Sequence, residues 1–137
     1  MSRIINAESV GLERSQLVRA IIVALREVSH LTAFDIEARD LAAFVVMALG
    51  TISKGVDASA IAWEKRGYWV KADRFRMEWA WAEPLASKLR SAVEAGDASA
   101  MAALMLKLAE KFKDVRVARN PRVGRPWVGA FRRMTLP

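Results

Sequence analysis

Gly50-Thr51-Ile52-Ser53-Lys54-Gly55 sets two glycines at the spacing of a phosphate-binding loop. Such a loop wraps backbone N–H groups around phosphate and needs Lys then Ser or Thr directly after its second glycine. Val56-Asp57 stand there instead, and a carboxylate in that place repels phosphate. Glu27-Val28-Ser29-His30 has the Glu-x-x-His step with which ferritin-like bundles hold paired metals. A paired site needs a second copy, and His30 is the one histidine in 137 residues. The same histidine would have to be the base of any Ser-His-Asp arrangement, from a helix end and without a Gly-x-Ser-x-Gly elbow.

Glu37-x-x-Asp40 and Glu94-x-x-Asp97 are spaced to put two carboxylates on one helix face. They resemble the pairs with which all-α nucleotide pyrophosphohydrolases bind magnesium, an ion that needs only a few carboxylates. The family's denser first motif is missing, and Asp97 serves better as a helix cap. No catalytic residue, metal ligand set or cofactor is therefore assigned, and a non-enzymatic protein is expected. There is no cysteine, which removes disulfides and thiolate metal sites and suits a reducing compartment.

Two features remain. From Trp63 to Trp81, basic and aromatic side chains interleave as they would on a surface that stacks bases or grips phosphates. Lys65, Arg66, Lys71 and Arg74 are the candidate polyanion ligands there. Phe75 and Trp79 fall on a core stripe, which leaves Trp69 and Trp81 as candidate interface anchors. The second feature is the C-terminus. Residues 1–114 hold sixteen Lys/Arg against fifteen Asp/Glu, whereas residues 115–137 hold Arg116, Arg119, Arg122, Arg125, Arg132 and Arg133 with no acid. The first four recur every three residues, the period of a polyproline II helix, so an extended tail would line them along one edge. All six cations are arginine, whose planar fork suits phosphate, carboxylate and aromatic faces. Trp127 and Phe131 sit among them as further anchors. The competing arrangement folds the tail over the body, pairs its arginines with body carboxylates and plugs a groove with Trp127.

The elements that must position these residues read as helices. Apolar residues from Leu17 to Val28 recur at helical spacing, giving a first helix over about 12–29. Thr32 and Asp35 resemble a capping box and mark a second start. The second helix is expected from about 33 to 66, continuous through Gly50 and Gly55; the rival version stops at Gly55 and restarts with Asp57 as cap. The third carries Phe75, Trp79, Ala82, Ala86, Leu89 and Val93, bends at Pro84 and ends at Gly96. A fourth follows Asp97 with Met101, Leu104, Met105, Leu108 and Phe112 on one face. Pro121, Gly124, Pro126 and Gly129 make the tail extended or irregular.

The expectation is an all-α protein, at least about 60% helical. Residues 1–114 would form an antiparallel four-helix bundle, and residues 115–137 a basic tail docked on the bundle or on a partner. Leu41 to Ser53 lack charge over thirteen residues, short of the twenty or so a membrane span needs, so this stretch reads as a buried helix. With no basic and apolar leader at the N-terminus, a cytoplasmic protein without a membrane partner is expected. The function expected is binding of nucleic acid or another polyanion by the basic tail, through backbone neutralisation and not base reading. The alternative is a helical protein–protein module, a homo-oligomer or a subunit of a larger assembly, such as a nucleoprotein complex. Its partner would be an acidic protein surface.

Overall fold

Ile36–Lys65 is the most apolar long stretch of the chain, and it forms the helix around which the others assemble. The computed structural model describes residues 7–33, 35–119 and 121–136; about 76% of them are helical and none is in a strand. The helices are α1 (Ala7–Ser29), α2 (Ile36–Lys65), α3 (Trp69–Trp79), α4 (Ala82–Ala95), α5 (Ala98–Lys111) and α6 (Ala130–Thr135).

α2 begins where Asp35 turns its carboxylate onto the N–H groups of Glu37 and Ala38, at 3.1 and 3.3 Å. Asp35 is thus the cap itself, and Thr32 lies in a bend before it, outside the expected capping box. Thirty residues give α2 a length of about 45 Å. It runs unbroken through both internal glycines to a reversal at Gly67, whose φ of 82° suits a residue without a side chain. Gly55 has a packing reason: a Cβ there would lie 3.1 Å from Val10 Cγ1 of α1. By length and composition α2 could cross a membrane, but just over half of its most apolar window is buried inside the fold. It packs against α1, α3, α4 and α6, and Leu41, Val45, Leu49 and Ile52 along it are wholly enclosed.

α1 starts at Ala7, ahead of the expected start at about residue 12. The expected third helix is two helices. α3 ends at Trp79 with Ala80 as its C-cap, and Trp81 is the N-cap of α4. Pro84 is the third residue of α4, where a backbone N–H would have no partner inside the helix, so the break before it replaces the expected bend. The corner is set by aromatic packing: Trp79 stacks on Trp81 at 5.7 Å, and Trp81 meets Phe112 of the α5 C-cap edge-on at 5.6 Å. Gly96 closes α4 in the left-handed conformation, and Asp97 caps α5 through Ala100 N–H at 3.1 Å.

The tail is not extended throughout. Arg122 and Val123 lie in a turn, Gly124 and Gly129 have positive φ, and α6 follows. Ala130 and Met134, one turn apart, are buried in the same core cluster as α2 and α4. A regular arginine edge at three-residue spacing cannot run through that turn.

Candidate polyanion surface and aromatic corner

Trp127 is 2% exposed and belongs to the core, which corrects its reading as a surface anchor. Around it the body holds the tail by two kinds of grip. Carboxylates of α2 form the first. Asp40 accepts from the N–H groups of Gly129 (3.1 Å) and Phe131 (2.9 Å), capping α6 from outside, and Glu37 pairs with Arg125 at 3.0 Å. Arginines of the body form the second, and their targets are main-chain carbonyls. Arg26 donates to Val117 and Ala118 (2.7 and 2.8 Å), and Arg90 to Met134 (3.3 Å). Arg39 donates to Val93 O of α4 while its guanidinium lies 4.1 Å from the centre of the half-buried Phe131 ring.

The six tail arginines divide accordingly. Arg125 is spent on Glu37. Arg133 donates to the carbonyls of Val128 and Pro126 (2.7 and 2.8 Å), closing the loop before its own helix. Arg116, Arg119, Arg122 and Arg132 are exposed, and their guanidinium groups have no hydrogen bond or ion pair among the described residues. Arg116 shares a shallow cleft of about 360 Å³ with Arg26, Lys113 and Asp114. Arg122 borders a second of about 490 Å³ with Arg19, Glu13 and Phe44. The carboxylate pairs that resembled a magnesium site are occupied: Glu37 and Asp40 by the tail, Glu94 by Arg90 at 2.9 Å, and Asp97 by its cap.

The other basic group lies elsewhere. Glu37 and Lys65 are separated by twenty-eight steps of one helix, about 40 Å. Lys65, Arg66 and Arg74 are exposed around the α2–α3 turn, so the structure does not join them to the tail arginines. Lys71 is engaged over the Trp63 ring, its Nζ 4.5 Å from the centre. Of the two candidate anchors here, Trp69 is exposed at 61%, whereas Trp81 is half-buried in the corner with Lys111 above it at 5.6 Å. Phe75 and Trp79 are also half-buried, packed on the core from outside.

α3 is tied to α2 through Arg76, which faces two carboxylates of α2. Arg76 donates to both carboxylate oxygens of Glu64 (2.9 and 2.7 Å) and lies 3.7 Å from Asp57, one heptad earlier on the same face of α2. Those hydrogen bonds hold the Glu64 carboxyl below its ordinary value and raise the Arg76 guanidinium above its own. Arg14 of α1, whose guanidinium lies 4.7 Å from the centre of the Phe75 ring, is shifted the other way: burial lowers it, opposed by the charge of Glu78.

Arg26, Arg39 and Arg90 were not singled out from the sequence. Their partners are carbonyls or an aromatic face, and residue types along the chain carry no mark of a carbonyl left open by a distant turn. Glu37 and Asp40 did stand out by spacing, but toward a different chemistry. No family model matches the chain, and no curated protein or solved structure matches it either.

Proposed function

We propose that the protein is a non-enzymatic, cytoplasmic polyanion-binding protein. In this reading α1, α2, α4 and α5 form an antiparallel four-helix bundle within residues 1–114, with α3 as a side arm. Residues 115–137 are strapped across it to present arginines to the phosphates of nucleic acid. The observation that carries the reading is the division of labour in the tail: Arg125 and Arg133 hold the strap, and the guanidinium groups of Arg116, Arg119, Arg122 and Arg132 face solvent without partners among the described residues. A strap already fixed loses less conformational freedom on binding than a free arm. The segment carries no acid to compete for its own cations, and Arg19 and Lys113 border the same clefts.

The chemistry is charge neutralisation at the backbone, without sequence reading. Each phosphate neutralised on duplex contributes a slope of about −0.9 to log K against log salt, so four contacts give roughly −3 to −4. The test is binding of a short duplex across a salt series, by the intact chain and by a variant with Arg116, Arg119, Arg122 and Arg132 replaced by glutamine. The variant keeps every grip on the strap and is expected to lose the salt-dependent binding while melting as the parent does. The reading fails if the intact protein shows no salt-sensitive binding at low ionic strength, or if the variant binds as the parent does.

A further inference from the structure

Residues 65–72, Lys-Arg-Gly-Tyr-Trp-Val-Lys-Ala, contain three cations and no acid; along α3 the exposed Arg74 adds a fourth cation, and the exposed Asp73 and Glu78 add two acids beside Val70 and Met77. Residues 65–72 span the end of α2, the reversal at Gly67 and the first turn of α3. Three consecutive apolar or aromatic side chains stand in solvent there: Tyr68 at 55%, Trp69 at 61% and Val70 at 65% exposed. Met77, two turns along α3, is 76% exposed. In α3 only Ala72 is fully buried, with Phe75 and Trp79 half-buried against the core, so Trp69, Val70 and Met77 are left outside. We propose that this corner is a peripheral attachment site for an anionic lipid surface.

The argument is one of matching chemistry. Tyr and Trp have a preference for the boundary between headgroups and hydrocarbon, where an apolar ring and a polar atom are both satisfied. Val70 and Met77 extend the same surface with side chains that only an apolar medium rewards. A single strand of nucleic acid would use Trp69 and Tyr68 for stacking but has no use for those two, since stacking requires a π face. A second copy of the chain would bring Lys65, Arg66 and Arg74 against themselves. An anionic membrane satisfies both halves, because basic side chains near its surface are each worth about a five-fold change in partition. The attachment is shallow: α3 is eleven residues long and would lie in the headgroup layer without any segment crossing. It draws on none of the tail arginines, so it stands independently of the reading above.

The experiment is co-sedimentation of the full chain with vesicles of phosphatidylcholine alone and of phosphatidylcholine mixed with phosphatidylserine, with tryptophan emission recorded in parallel. Binding to the serine-containing vesicles is expected, with a blue shift that disappears in Trp69→Phe. Replacing Lys65, Arg66 and Arg74 together with glutamine should weaken partition roughly 100-fold, and Val70→Ser with Met77→Ser should weaken it without altering its salt dependence. All these positions are exposed, so circular dichroism should match the parent. Lack of binding to the anionic vesicles overturns the proposal, as does binding that survives the triple variant or that is lost only when the tail arginines are replaced. Quenching of Trp69 by a single-stranded oligonucleotide, with no vesicle binding, would overturn it in favour of base stacking.

Discussion

Asp40 accepts two main-chain N–H groups at the start of a helix that has no side-chain cap of its own. Its removal leaves two part-buried donors unsatisfied, so Asp40→Ala should cost about 1–3 kcal/mol in chemical denaturation. Trp127 makes a separate case. Its indole N–H is buried without a hydrogen-bond partner among the described residues, so the ring contributes by its bulk. Trp127→Ala should therefore cost about 3–5 kcal/mol, whereas Trp127→Phe, which keeps most of the ring and removes the orphan donor, should cost less than about 1.5 kcal/mol. Glu64 carries a pH signature. Its carboxyl is held below the ordinary value of 4.5 by Arg76, so the pair's contribution is complete above that value and is lost as pH falls through the lowered one. Glu64→Gln should remove this part of the acid sensitivity, read as a smaller fall in melting temperature between mildly and strongly acidic buffer.

At the scale of elements, the two glycines of α2 behave differently. Alanine at Gly50 meets no atom within 4 Å, so Gly50→Ala should stabilise by about 0.5–1 kcal/mol through helix propensity alone. At Gly55 the same propensity gain is set against Val10 at 3.1 Å, and the substitution should be neutral or destabilising in the same melt. Long helical periodicity was legible in the sequence: α1, α2 and α5 lie near where the apolar spacing places them, and α2 passes through both glycines because packing outweighs their propensity. The break at Ala80 was not legible. The apolar stripe from Phe75 to Val93 keeps helical spacing across it, and what decides the break is Pro84 acting together with Trp79, Trp81 and Phe112, which meet only in three dimensions. α6 was hidden for a related reason. Its cap comes from Asp40, ninety residues away in the chain, and local signals around Gly129 point to a loop.

For the molecule as a whole, charge and stability are interleaved in one segment. The basic tail was legible as a charge anomaly, and so was the possibility that it folds back, but which arginines hold it and which stay free depends on where Glu37 and the tail carbonyls fall. Deleting residues 116–137 would strip Trp127, Ala130 and Met134 from the core, so it should lower the melting temperature sharply instead of leaving a body as stable as the parent. That deletion cannot separate binding from folding, and the four exposed arginines are the positions that can. A calorimetric melt of the deletion beside the glutamine variant checks both halves: the first should be strongly destabilised and the second unchanged.

The strap closes very long loops. Arg26 to Ala118, Glu37 to Arg125 and Asp40 to Phe131 span 92, 88 and 91 residues. Contacts so distant in the chain gain nothing until the elements they join are in place, so they form late on the way to the native state. Interactions absent from the folding transition state act as brakes on escape from the native state. The strap is thus a latch on the time axis. Asp40→Ala and Trp127→Ala should speed unfolding in stopped-flow experiments while leaving the refolding rate nearly as it was. The lifetime of the folded protein, more than its speed of folding, is set by a few side chains that reach across the whole chain.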